Sequence, residues 1–178
     1  TPRSSKTSPV NRMLNSSLLV ETRCPTSPEE QLFAITAKKR NMYLARNAIY
    51  APHRYPVIYG GSSEISWQEL KKLPFRYLNA ANIGVSWWSH DIGGNHGGIE
   101  DGELYLRYVQ LSTFGPILRF HAARGPYYKK EPWLWDAKTE NIAADYLRLR
   151  HRLIPYLYTE AYNYTRSGTP LIQPFYYN

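Results

Sequence analysis

The sequence predicts an α/β fold organised around a parallel sheet. Three observations predict it. Short apolar runs of strand length alternate with segments of helical period, helix caps and Gly/Pro stops punctuate them, and polar or glycine residues close the runs one after another. The 178 residues suffice for a domain with a sizeable core, and a hydrophobic content of 43% with 15% aromatics excludes a disordered chain.

Residues 1–40 are expected to be a poorly ordered or unrecognised segment, because fourteen of the first thirty residues are Ser, Thr or Pro without a sustained period. NMYLAR (Asn41–Arg46) and YPVIYG (Tyr55–Gly60) read as strands. SWQE (Ser66–Glu69) reads as a capping box opening a helix through Leu70 and Leu73 toward Leu78, with Pro74 as a kink. IGVSWW (Ile83–Trp88) reads as a buried strand. Asp101 is positioned to cap a helix carrying Leu104, Tyr105, Tyr108, Val109 and Leu111, stopped by Gly115–Pro116. PILRFH (Pro116–His121) reads as the next strand. A long helix follows from about Thr139, with a stripe of Ile142, Tyr146, Leu149, Leu153, Tyr156 and Leu157, ended by Gly168 and Pro170. LIQPFYY (Leu171–Tyr177) reads as a strand opening something further.

In parallel sheets the working residues gather at the C-terminal ends of strands. Those ends supply Arg46, the Gly60–Gly61–Ser62 turn, His90–Asp91, and Arg119 with His121. Four successive strand ends delivering polar groups or tight glycine turns to one edge make half of an active-site rim.

The formal net charge of +8 raises the question of nucleic acid. Half of that excess lies in residues 1–40, and elsewhere bases interleave with acids, as in KKEPW. No nucleic-acid partner is expected. Cys24 is the one cysteine, which excludes a disulfide framework and a thiolate metal site. No apolar run approaches 18 residues and no secretory h-region occurs, so no membrane partner and a cytoplasmic setting are expected. The glycosylation sequons at Asn15 and Asn163 are assigned to chance.

RYPVIYGG, GVSWWSHDIGG, ELYLRYVQLSTFGPILRFH, EPW and YLRLRHRLIPYLYTEA resemble, in order and spacing, the C-terminal half of the catalytic barrel of glycoside hydrolase family 31. The motifs cover roughly residues 40–178, and residues 1–35 carry none. The resemblance implies a partial (β/α)8 TIM barrel over 41–168, about its last four strands. Residues 169–178 would then begin a C-terminal β domain. It also implies retaining hydrolysis of terminal α-linked glucose or xylose in an oligosaccharide or glycoside substrate, with no cofactor and no metal. Such hydrolysis uses one carboxylate as nucleophile and a second as acid/base.

The resemblance places the nucleophile on an earlier strand, and no W-x-D-x-N-like segment occurs here. The position of the acid/base Asp is occupied by Ser62, whose hydroxyl cannot donate a proton of tuned acidity. Glu64, two residues on, is the candidate substitute. Arg46, Trp88, Asp91 and His121 match substrate contacts, with Trp87 an alternative to Trp88 for stacking on a sugar face. His90 and Trp88 are expected to support the pocket wall and Arg119 to pair with Asp91. Glu131 and Trp133 would fix the loop over the site. The chain is therefore expected to be inactive alone and to need an N-terminal half-barrel or self-association to cover its sheet edge. The alternative is a non-catalytic carbohydrate-binding or degenerate remnant of the same family.

Overall fold

Three short parallel strands, β1 (Leu44–Ala45), β2 (Val57–Tyr59) and β3 (Trp88–Ser89), form a sheet in that order in the computed structural model. The model describes residues 44–46, 57–123, 125 and 128–177. The expectations for residues 1–40 and for the start of the first two strand runs lie outside the described residues. Leu44 and Ala45 pair with Val57 and Ile58, and Ile58 and Tyr59 pair with Trp88 and Ser89.

Helix α1 (Trp67–Asn82) connects β2 to β3. Ser66 caps it, its hydroxyl accepting from the Glu69 N–H at 3.2 Å. The second half of the expected capping box does not form, because the Glu69 carboxylate turns to Lys72 and Arg76 at 2.5 and 2.6 Å. The helix continues through Pro74 and runs one turn past Leu78. It ends in a Schellman arrangement: Gly84 donates to the Ala81 carbonyl at 2.9 Å, Val85 donates to that of Ala80 at 2.8 Å, and Gly84 has φ +79°. Ile83 and Gly84 therefore close a helix, and the strand expected from Ile83 starts only at Trp88.

Asp101 caps α2 (Gly102–Thr113) as expected, accepting from the N–H groups of Glu103 and Leu104 at 2.9 and 3.1 Å. The Pro116–His121 run forms no strand. It is tied instead to the loop after β3, with Ile92 donating to the Arg119 carbonyl at 3.1 Å and Ala123 to that of Asn95 at 2.9 Å. A 3-10 turn (Pro132–Leu134) leads to α3 (Ala137–Arg152), capped by Asp136. The expected long helix is two helices, because α3 ends before Leu153 and α4 (Ile154–Ser167) begins with Pro155 in its first turn. Pro155 lacks the N–H that would continue the ladder. Gly168, at φ +76°, ends α4. Residues 175–177 form a 3-10 turn rather than a strand.

The core lies between the sheet and α1, α2 and α3. It joins Ile58, Trp88 and Ile92 to Leu73, Tyr77, Leu104, Tyr108, Val109 and Ala143. The Trp88 ring packs onto Gly60, where a Cβ would come within 2.2 Å of it, so only glycine fits after β2. No described helix is long and apolar enough to cross a membrane.

Candidate functional site

Residues paired across a parallel ladder project to the same face, and successive residues alternate. Ala45, Ile58 and Trp88 thus share one face, which α1 covers: the Tyr77 ring meets Trp88 edge-on at 4.8 Å. The next position along each strand, Arg46, Tyr59 and Ser89, belongs to the opposite face. Trp88, only 6% exposed, is closed in by Tyr77, His90 and Gly60. Trp88 therefore packs behind the strand, among the helix-facing side chains, rather than presenting its ring for stacking. Trp87 is half-buried and falls on the other face by alternation.

His90 belongs to the helix-facing layer too, beside Tyr77 and Tyr108. The Ser112 hydroxyl donates to the Tyr108 carbonyl at 2.6 Å, so it accepts from His90 Nε2–H at 3.2 Å. Nδ1 is left as a bare, buried acceptor with no partner among the described residues. Burial pushes the imidazole down to about 4, so the ring is neutral.

Asp91 lies two residues past β3, on the side of the strand opposite His90. Its side chain is buried, and both oxygens are engaged. Arg119 Nη1 pairs with Oδ1, while the Tyr59 hydroxyl and the Asn95 amide each donate to Oδ2 at 2.6 Å. The Arg119 guanidinium also lies over the Tyr59 ring, 4.6 Å from its centroid. Burial, then the hydrogen bond to Asp91, raises the Tyr59 phenol above its ordinary range. The expected pairing of Arg119 with Asp91 is thus present. Tyr59 and Asn95, which sequence reasoning missed, complete the cluster. Their signal was position: Tyr59 ends β2, and Asn95 interrupts a run of glycines.

The Ser62 hydroxyl sits 3.3 Å from the Tyr59 phenol oxygen. Tyr59 gives its one proton to Asp91, so Ser62 is placed to donate to the phenol. Glu64 lies against the glycine turn. Its backbone forms a bridge with His96, Ile65 donates to the His96 carbonyl at 3.0 Å, and its side chain lies against Gly97. Arg46 is exposed at the end of β1, and His121 is exposed two residues beyond Arg119. Trp133 is exposed on the 3-10 turn, and the Glu131 carboxylate accepts from the Lys130 N–H at 3.4 Å.

The glycine turn after Asp91 is held from behind by Lys130, another residue the sequence did not single out. Its buried amine donates to the carbonyls of Gly93 and Gly94 at 2.9 and 2.6 Å. Burial lowers it to about 8, against the attraction of Asp91. Gly98, at φ +70°, lets the turn pass so close to Ile65 that a Cβ would fall 1.9 Å from its carbonyl oxygen. A cavity of about 230 Å³ behind the turn is lined by Gly93, Gly97, Tyr105, Tyr128, Lys130 and Trp135, among others, and includes none of Arg46, Ser62, Asp91 or His121. Among the described residues no three His, Cys, Asp or Glu side chains gather as a metal site requires.

A family model described as the glycosyl hydrolases family 31 TIM-barrel domain matches residues 9–160. The match reaches into the N-terminal segment in which no motif is legible. An alpha-xylosidase of Saccharolobus solfataricus is 30% identical over 166 residues, 90% of this chain and 22% of that protein. Alpha-glucosidase 2 of Bacillus thermoamyloliquefaciens is 31% identical over 140 residues, 78% of this chain and 17% of that protein. The chain spans about a fifth of the length of these curated relatives. Among solved structures, the cycloalternan-degrading enzyme from Trueperella pyogenes matches with TM-score 0.76 at 23% identity, over 81% of this chain and 22% of that one, a likeness of fold. A family 31 alpha-xylosidase from a soil metagenome, complexed with xylose, matches with TM-score 0.62 at 26% identity, over 68% of this chain and 21% of that one. The sheet and its helices are part of a barrel.

Proposed function

We propose, from the premise that this chain belongs to glycoside hydrolase family 31, that it forms one wall of the sugar pocket of a retaining α-glycosidase and does not cleave a glycoside by itself. The observation that carries the proposal is the cluster around Asp91 at the ends of parallel strands. A buried carboxylate is fixed there by Arg119, Tyr59 and Asn95, while Arg46 is exposed at the end of β1 and His121 two residues beyond Arg119. Fixed donors at a barrel mouth suit sugar hydroxyls, which need paired donors and acceptors in set directions. Arg46, His121 and the Asp91 cluster would hold a terminal α-linked glucose or xylose, the sugars named in the curated relatives' activities. Trp88 would support them from the helix layer. No cofactor is assigned.

Inactivity of the chain alone follows from the chemistry of two carboxylates. Ser62 stands at the acid position and hydrogen-bonds the Tyr59 phenol. Glu64, held toward Gly97, does not take its place. The remaining strands of the barrel, or a second copy of this chain, would pair with the edge of β1 that has no partner strand among the described residues. The test is release of nitrophenol from aryl α-glucosides and α-xylosides by the purified chain, its association state followed by size-exclusion at two concentrations. No turnover and a concentration-dependent size are expected. Turnover abolished by Glu64→Gln would overturn the assignment and make Glu64 the acid.

The second reading is a carbohydrate-binding remnant without catalysis in any assembly. Ser62 favours it, because loss of the acid leaves the binding residues in place.

A further inference from the structure

Resting on that reading, we infer that Arg119 makes the sugar contact on this wall and that Asp91, expected to line the pocket, is its positioning residue. Asp91 has no free face: it is 1% exposed, one oxygen is taken by Arg119 and the other by Tyr59 and Asn95. A carboxylate so enclosed can meet a hydroxyl only by giving up a partner. Arg119 is different. Its side chain remains 23% exposed at the strand ends, and Asp91 takes one donor of its five-donor fork. Beside Asp91, the guanidinium also acts on the Tyr59 phenol, which it draws down against burial, and two partners do not use up the fork. The Tyr59 ring under it, at 4.6 Å, and the Asp91 carboxylate fix the plane of the fork, and the remaining donors are the ones its partial exposure can offer. Two parallel N–H donors in a fixed plane match vicinal hydroxyls of a pyranose. A hydroxyl pair is the ligand chemistry, and the direction of the fork selects their orientation.

A double-mutant cycle on the full chain tests this, with methyl α-glucoside and methyl α-xyloside as the probes in an equilibrium titration. Arg119→Ala should weaken binding at least tenfold, and Arg119→Lys should recover part of the loss. Asp91→Asn should weaken binding in the wild-type background and change it less than twofold in the Arg119→Ala background, since a positioning residue has nothing left to position. Arg119→Ala alone leaves a buried charge unpaired, so where it does not fold Arg119→Lys, which keeps a cation beside Asp91, supplies the second background of the cycle. An equal loss from Asp91→Asn in both backgrounds would show that Asp91 touches the sugar itself and would overturn the inference. A wild-type chain that binds neither probe would instead overturn the sugar-pocket reading beneath it.

Discussion

His90 is a buried ring whose Nδ1 faces no donor among the described residues, and whose proton affinity is lowered by burial to about 4 from an ordinary 6.5. The unfolded chain protonates this imidazole below pH 6.5, whereas the folded chain resists until about pH 4. Its contribution to stability is therefore present above pH 6.5 and lost as the pH falls through that window. Urea midpoints measured from pH 7 to 4 should fall for the wild type. They should fall less for His90→Phe, which keeps the ring and removes the titration; identical profiles would contradict the assignment. At this scale the sequence announced chemistry better than direction. SHD placed a His and an Asp in succession, and alternation sends them to opposite faces: His90 into the helix layer, Asp91 into the strand-end cluster. Lys130 was illegible because its acceptors are backbone carbonyls 36 and 37 residues away, which no local pattern encodes.

Helix starts were legible because a cap is a local event: Ser66 and Asp101 each satisfy N–H groups two or three residues ahead. Strands were less so. Each spans two or three residues, and an apolar run such as IGVSWW serves equally as a helix end or a strand. The break at Leu153 escaped because the apolar stripe keeps its spacing across Pro155. Another element-scale feature is Arg150 of α3, which reaches across to the end of α2. It donates to the carbonyls of Thr113 (3.0 Å), Gly115 and Pro116 (2.9 Å). These acceptors fall where the α2 ladder has stopped, so a cationic donor both satisfies them and complements the helix end. Arg150→Met should lower unfolding free energy by about 2 kcal/mol through the orphaned carbonyls. Arg148→Met, which breaks only an exposed pair with Asp145, should change it by less than about 0.5 kcal/mol. Equal effects in urea denaturation would contradict the capping role.

At the scale of the whole molecule, the parallel sheet presents its face to α1 on one side and carries its polar strand ends to one edge. The motifs foretold that organisation, because a strand passes from apolar packing to a polar end within a few residues, as Trp88 gives way to Asp91. They did not foretell how short the strands are among the described residues. The Pro116–His121 run bonds to the glycine turn instead of extending the sheet, and so carries Arg119 up to Asp91. The account's central claim is that this wall recognises a sugar. The most direct measurement is an equilibrium titration of the chain with methyl α-xyloside and methyl α-glucoside, repeated on His121→Ala, whose exposed side chain carries no fold contact in the core cluster. Saturable binding to the wild type, weakened at least tenfold by His121→Ala with its thermal unfolding unchanged, is the predicted result. Binding that is absent, or that is indifferent to His121→Ala, would contradict it.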